Sequence, residues 1–149
     1  MTNPYALHDS LGYRMTLMSR ISERRFETHL TPLGLTRVTW CVLLAVGQPD
    51  LQAPSAIAEW IGIDRTATSR ALRRLEKARL IARKAGAKDK RNTVVSLTDA
   101  GVKVLAQANA AATENAAHFN AKLSWYEHDI LQTILTKLLQ DETRNIPGL

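Results

Sequence analysis

The sequence predicts a mainly α-helical fold with one small β-hairpin. Six segments carry apolar residues at steps of three and four, which is the spacing of one face of a helix. Two short segments, 80–85 and 93–97, are instead β-like, and in the second Thr93, Val95 and Leu97 alternate with the intervening residues. The predicted order is therefore four helices, two strands and two further helices.

The first two helices differ in how much of their surface is apolar. Residues 6–30 carry a single apolar stripe beside a polar face, and the Thr-Pro-Leu-Gly cluster at 31–34 ends this helix. Thr36 is a good N-cap for a second helix from Arg37 to about Val46. That helix is apolar on nearly every side, so we expect it to be the buried centre of the domain.

The next two helices are separated by a tight turn. Pro54 fits the first position of the third helix, where its missing N–H costs nothing. Gly62 permits the left-handed backbone of the turn, and Asp64 caps a fourth helix over residues 65–79. The small Ala58, four residues before Gly62, lets the two helices approach closely, which favours a helix-turn-helix.

The hairpin and the last two helices complete the predicted architecture. Thr98 caps a fifth helix that runs to about Phe119, and Ser124 caps a sixth helix with a wide apolar stripe. Helices two to four with the hairpin make a winged helix-turn-helix. Within a single domain, 1–149, we assign residues 36–97 to this winged lobe and residues 6–32 and 98–142 to a helical dimerisation region. The apolar stripes of that region need a partner. We favour a second copy of the chain over packing within one chain.

Positive charge is concentrated in one segment. Residues 64–91 hold eleven Lys and Arg and three acidic residues, so this segment carries +8 while the whole chain carries +6. Such a cluster favours a polyanionic partner over a merely solvated basic face. In the fourth helix, Thr66, Ser69, Arg70, Arg73 and Lys77 lie opposite the apolar positions, with hydroxyls near the start and cations further along. This face suits base edges and phosphates of double-stranded DNA.

Several other classes are disfavoured by the sequence. No apolar run approaches the roughly 20 residues that span a bilayer, and the first ten residues lack a signal-peptide pattern. The single cysteine, Cys41, fits a reducing cytoplasm, where we expect the protein to act. Neither catalytic constellations nor metal-ligand spacings are evident, so we expect no enzyme, no metal and no cofactor.

Three stretches in order resemble the multiple antibiotic resistance regulator (MarR) family. They are Leu33-Gly34-Leu35-Thr36 before Trp40, then residues 63–70 (Ile-Asp-Arg-Thr-Ala-Thr-Ser-Arg) followed by Leu75-Glu76-Lys77, and then Asp89-Lys90-Arg91 followed by residues 95–101. The resemblance implies a homodimeric regulator, usually a repressor, that binds a pseudo-palindromic operator and is released by a small aromatic or acidic effector.

The resemblance also implies roles for individual residues. Thr66, Ser69, Arg70 and Arg73 match the major-groove helix, and Arg91 matches a wing arginine that enters the minor groove, held there by Asp89. Arginines 70 and 73 either read guanine or grip phosphates. The full predicted DNA-binding set is Arg65, Thr66, Ser69, Arg70, Arg73, Arg74, Lys77, Lys84, Lys88, Asp89, Lys90 and Arg91.

Two positions depart from the family pattern. Arg79 stands where the family usually has a glycine at the end of the recognition helix, which puts the left-handed helix cap in question. Thr68 replaces a buried aliphatic residue, so either its hydroxyl bonds to backbone or the helix is slightly rotated.

An effector site and a redox site are the remaining candidates. In some relatives the positions of Arg20 and Arg37 contact an aromatic carboxylate; Trp40 would then be a pocket wall, and Met15 and Met18 its lining. Core packing for Trp40 and the dimer seam for the two methionines are the alternatives. The other function we consider is a thiol-based redox-sensing repressor that uses Cys41, although a plain core cysteine is favoured.

Overall fold

The computed structural model of the protein describes residues 5–85 and 93–142. The predicted fold class is confirmed: the chain is mostly helical, with one two-stranded antiparallel hairpin. The elements are a 3-10 turn Leu7–Asp9, α1 Leu11–Leu30, a 3-10 turn Thr31–Leu33, α2 Arg37–Val46, α3 Pro54–Ile61, α4 Arg65–Lys77, β1 Ile81–Ala85, β2 Thr93–Leu97, α5 Asp99–Asn120 and α6 Trp125–Leu138.

Three predicted boundaries were wrong by a few residues. α1 begins at Leu11 rather than at residue 6, because Ser10 adopts an extended conformation and its side chain accepts a hydrogen bond from the backbone N–H of Tyr13. In the helix-turn-helix, α4 ends at Lys77 rather than at Arg79. The strand that follows, β1, begins at Ile81, one residue later than predicted. Each shift reflects a local cap that helical periodicity does not reveal.

The predicted N-caps of four helices are present. The side chain of Thr36 accepts from the N–H of Thr39, whose hydroxyl in turn accepts from the N–H of Thr36, so α2 begins with a capping box. Asp64 accepts from the N–H of Ala67 at 2.8 Å, and Thr98 accepts at the start of α5. A second capping box, formed by Ser124 with Glu127, begins α6. These caps satisfy N–H groups that the helices leave unpaired.

α2 lies at the centre of the core, as its composition predicts. Val42, Leu43 and Ala45 are fully buried, in contact with a core that includes residues of α1, α3, α4, the hairpin and α5. Phe26 of α1 meets the Trp40 ring edge-on, with 4.8 Å between centroids. The winged lobe and the long helices α1 and α5 therefore share one hydrophobic core.

The hairpin is tied to the helices on both sides. β1 pairs with β2 in a register that sets Ile81 opposite Leu97 and Ala85 opposite Thr93. The N–H of Val95 donates to the carbonyl of Gln52 at 2.9 Å, which attaches β2 to the segment before α3. The base of the hairpin is thereby fixed against the helix-turn-helix.

α6 differs from the other helices because no residue in it is buried. Within the described chain it forms no extended contact with any other element. Its exposed apolar side chains include Trp125, Tyr126, Ile130, Leu131, Ile134 and Leu138. α6 is thus an amphipathic helix whose apolar face has no cover within its own chain.

No single helix in the described part of the chain is both long enough and apolar enough to cross a membrane. Residues 11–33 and α2 together are long and apolar enough for a membrane span, but they are bent by 70° relative to each other.

The end of α4 is held by a left-handed residue that is not glycine. Arg79 has a φ of +59°, so the cap geometry that is usual for glycine is formed by an arginine. Its carbonyl accepts from the hydroxyl of Thr98 at 2.7 Å, and the carbonyl of Leu80 accepts from the N–H of Thr98 at 3.0 Å. A Cβ atom at Gly101 would overlap with the Leu80 carbonyl oxygen, so only glycine permits this approach of α5.

We expect Arg79→Gly to raise the free energy of unfolding by about 1 kcal/mol, because a side chain in the left-handed region carries a steric cost that glycine lacks. The matched control is Ala78→Gly, at a right-handed φ of −76°, which should lower it by about 0.5 kcal/mol. Urea denaturation of the wild-type protein and the two variants measures both changes in the free energy of unfolding. A loss of stability in Arg79→Gly would contradict the strain at this position.

Candidate nucleic-acid interface

α4 presents two chemically distinct faces, divided as the sequence predicts. Thr68, Ala71, Leu72 and Leu75 are buried against the core. The opposite face is polar: Thr66, Arg70, Arg73 and Lys77 are exposed and Ser69 is half-buried. Arg65 and Arg74 are also exposed on α4, as is Lys84 on β1. The outward face therefore combines short hydroxyl groups with long cations.

Thr68 shows how a polar residue is accommodated on the buried face. Its side chain is 1% exposed, and its hydroxyl donates to the backbone carbonyl of Asp64 at 3.0 Å. Of the two expectations for this residue, the backbone hydrogen bond is the one observed. The helix keeps its predicted rotation, because the hydroxyl is satisfied within its own first turn.

A side-chain hydrogen bond orders part of the outward face. Nη2 of Arg73 donates to Oγ of Ser69 at 3.2 Å, one helical turn earlier. A guanidinium that is already oriented loses less conformational entropy when it meets a phosphate or a base edge. Ser69 and Arg73 thus act as a pair rather than as two independent contacts.

Arg83, one of the cations of the basic segment, also positions the hairpin, which the sequence does not reveal. Nε of Arg83 on β1 lies 3.1 Å from Oε2 of Glu76 on α4, and its side chain is 24% exposed. This ion pair links the hairpin to α4 in addition to the backbone connection. The only signal in the sequence was that Glu76 is one of three acidic residues in a strongly basic segment.

A groove of about 590 Å³ lies between the start of α3, the outward side of α4 and the hairpin. Ser55 and Arg65 line it from the two helices, while Arg83 and Thr93 line it from the strands. Residues 52–55 were also missed by sequence reasoning, because nothing in their composition is basic. The groove joins Arg65, at the start of α4, to Arg83 and Thr93 of the hairpin in one concave surface.

The predicted residues of the hairpin tip cannot be placed in this geometry. Lys88, Asp89, Lys90 and Arg91 lie outside the described residues, which stop at Ala85 and resume at Thr93.

Comparison with known proteins gives a consistent family. A family model described as the MarR family matches residues 33–92. A probable transcriptional regulator from Pseudomonas aeruginosa is 28% identical over 89% of this chain and 98% of its own, with a TM-score of 0.79. The transcriptional repressor CouR, bound to a 23-mer DNA duplex, is 27% identical over 90% of this chain and 95% of its own, with a TM-score of 0.79.

A third structure supports the fold. The MepR–DNA complex from S. aureus has a TM-score of 0.83 at 24% identity and covers 89% of this chain and 98% of its own. Residues 33–92, which contain α2, α3, α4 and β1, match the MarR family. The described residues have the winged helix-turn-helix fold of these regulators, in which α4 is the second helix of the helix-turn-helix.

Two of the five effector candidates line one cavity. Arg20 and Arg37 both border a space of about 660 Å³ between α1 and α2. Nη1 of Arg37 already lies 2.9 Å from Oε1 of Glu23, so this guanidinium is partly neutralised. An incoming carboxylate would have to compete with Glu23 for Arg37.

The structure does not bring the other three effector candidates to that cavity. Nε1 of Trp40 donates to Oδ1 of Asn109 at 3.0 Å, and its ring packs against Phe26, which fits the core-packing alternative. Met15 and Met18 are exposed on α1, away from this space. Trp40 therefore joins α2 to α5, a connection that the spacing of the sequence could not reveal.

Cys41 has the environment of a packed thiol rather than of a reactive one. It is half-buried on α2 beside Ile61 and Ile63. Burial raises the pKa of the Cys41 thiol above its ordinary value, although the positive charge of Arg37 acts in the opposite direction. Since the thiolate is the form that reacts with peroxide, this environment disfavours a redox sensor.

We expect Cys41 in the folded protein to react with iodoacetamide more slowly at pH 7.5 than a cysteine of unperturbed pKa, because less of it is thiolate. Its rate should continue to rise above the pH at which a free thiol reaches its plateau. Mass spectrometry measures the rate of Cys41 labelling in the folded and in the urea-unfolded protein. Labelling of the folded protein that is as fast as or faster than that of the unfolded protein would favour the redox-sensor hypothesis.

Proposed function

We propose that the protein is a homodimeric repressor in the cytoplasm that binds a pseudo-palindromic operator and is released by a small aromatic or acidic effector. Residues 36–97 would form the DNA-binding lobe, and residues 6–32 and 98–142 the dimerisation region. The observation that carries the proposal is the outward face of α4, on which hydroxyls and guanidinium groups are exposed together.

Binding to double-stranded DNA follows from the shape and charge of the lobe. A helix fits the major groove, and the hydroxyls of Thr66 and Ser69 lie in its first half, where a recognition helix meets base edges. Arg70 and Arg73 extend from the same face and can read guanine or hold phosphates. The tip residues Lys88, Asp89, Lys90 and Arg91 would follow the adjacent minor groove, where narrow geometry attracts arginine.

Dimerisation is supported by the apolar surface that the chain leaves uncovered. α6 has no buried residue, and the N-terminal half of α1 exposes Leu11, Met15 and Met18. Surfaces of this kind in one chain are normally covered by a partner. A two-fold axis through these helices would set two copies of α4 on successive major grooves, roughly 34 Å apart.

Repression and release require two arrangements of the dimer. An effector bound between α1 and α2 touches both the dimerisation region and the central helix of the winged lobe. If it binds better to an arrangement whose recognition helices no longer match the operator, DNA affinity falls by that difference in binding energy.

The decisive experiment is an operator titration. A footprint on the DNA upstream of the protein's own coding region identifies the duplex to use. Fluorescence anisotropy at several salt concentrations then gives the affinity and the slope of log affinity against log salt concentration, the salt slope. We expect Arg70→Ala to weaken binding by about 1–3 kcal/mol, and, if Arg70 grips a phosphate, to reduce the salt slope by about 1.

Arg14→Ala is the control for this titration. It removes the same charge from α1, where Arg14 pairs with Asp9 at 2.9 Å, away from α4. Equal effects of the two variants would mean that α4 does not read DNA.

A second prediction concerns the dimer. In sedimentation equilibrium the wild-type protein should have twice the chain mass of 16.6 kDa. Ile134→Asp, which introduces a charge on the apolar face of α6, should return it to the mass of one chain, whereas Gln132→Asp on the polar side should not. A wild-type protein that sediments as a single chain would exclude the dimer.

A further inference from the structure

Two asparagines on α5 form hydrogen bonds that attach this helix to α2 and to α1. Oδ1 of Asn109 accepts from Nε1 of Trp40 on α2 at 3.0 Å. Nδ2 of Asn115 donates to the backbone carbonyl oxygen and to Oγ of Ser22 on α1, at 3.3 Å in each case. The two asparagines lie about 9 Å apart along the helix axis. α5 is therefore attached to the winged lobe through Asn109 and to α1 through Asn115.

The packing face of α5 has few other side chains that could fix its position along α1. Beyond Leu105, the apolar residues that α5 contributes to the core are Ala108, Ala111 and Ala112. A row of methyl groups provides no large side chain to interlock with a neighbouring helix, and uniform packing specifies position poorly. Apolar contact alone would therefore allow α5 to shift along α1 with little change in the area buried.

Asn115 occupies this face at a cost in free energy. It is 7% exposed, and its Oδ1 is buried without a hydrogen-bond partner among the described residues. Because an unpaired buried acceptor is destabilising, packing energy alone would favour an apolar residue at this position. The adjacent Glu114 lies 3.7 Å from Nη2 of Arg25 on α1, so a second polar contact lies beside the first. Directional polar contacts of this kind can fix the register of two helices that apolar packing leaves undefined.

We infer that Asn109 and Asn115 are positioning residues that set the register of α5 and thereby the half-site spacing that the dimer accepts. The start of α5 is held against the end of α4 at Thr98 and Gly101, so a shift of α5 along α1 would move the winged lobe relative to the two-fold axis. Each added base pair moves the second half-site by about 3.4 Å and turns it by about 35°. The inference rests on the proposed function, since it concerns a dimer bound to two half-sites.

The test measures binding to duplexes of different half-site spacing. Fluorescence anisotropy compares the footprinted operator with duplexes in which one base pair is added or removed between the half-sites. We expect the wild-type protein to bind the altered duplexes at least about tenfold more weakly, as the loss of one base contact would cause. The double variant Asn109→Ala with Asn115→Ala should narrow this difference to about threefold or less, because several registers are then populated. Alanine favours the helix, so α5 should still form.

Thr113→Ala is the matched control on the same helix. Its hydroxyl donates to the carbonyl of Asn109 within α5, at 3.0 Å, and this variant should discriminate between spacings as the wild type does. Asn109→Asp, which keeps an acceptor for Nε1 of Trp40, should also retain the discrimination. A purely structural defect would weaken binding to every duplex by the same factor. That result for the double variant would overturn the inference, and so would a wild-type protein that binds all spacings equally.

Hydrogen exchange without DNA tests the register contacts separately from the proposed function. Amides of residues 18–30 on α1 should exchange faster in the double variant than in Thr113→Ala or the wild type, because Asn115 holds this part of α1 against α5. Unchanged exchange there would overturn the inference whether or not the protein binds DNA. A wild-type protein that binds no duplex would overturn the proposed function together with the role in spacing. A protein that binds its operator and keeps its full discrimination without the two asparagines would overturn the inference alone.

Discussion

The close approach of α5 to the chain at Leu80 is the contact on which the arrangement of the two regions depends. The Leu80 carbonyl accepts from the N–H of Thr98, and Gly101 leaves room for that carbonyl beside the first turn of α5. The same short segment ends α4 and begins β1. α4, the hairpin and the long helix α5 therefore meet at this short segment, in addition to their contacts with the shared core. A rotation of α5 relative to the core would therefore move the outward face of α4 with it.

Most of the fold could be predicted because it follows from periodicity and capping, which are local properties. Thr36, Asp64, Thr98 and Ser124 are short polar residues placed one position before an apolar or charged helical run, and all four cap their helices. The start of α1 was misjudged because Leu7 continues the apolar stripe across the break at Ser10. Periodicity alone does not distinguish a 3-10 turn from the helix that follows it.

The candidate site was predictable only in part, because its remaining members are defined by contacts distant in sequence. The outward face of α4 follows from winding one helix, so Thr66, Arg70 and Arg73 were found. Trp40 could not be placed, since its partner Asn109 is 69 residues away, and the salt bridge of Arg83 with Glu76 depends on how the hairpin folds back onto α4. The same limit applies to the space between α1 and α2: Arg20 and Arg37 could be named from the sequence, but the ion pair of Arg37 with Glu23 could not.

The uncovered apolar face of α6 has a consequence for how folding depends on protein concentration. A helix of 14 residues without packing is marginal in water, so the order of α6 depends on whatever covers that face. When a second copy provides the cover, association and folding are linked by mass action, and thermal stability rises with protein concentration. At low protein concentration, the fraction of chains in the dimer would then fall. The concentration of dimer able to bind DNA would therefore rise more steeply than linearly with total protein concentration.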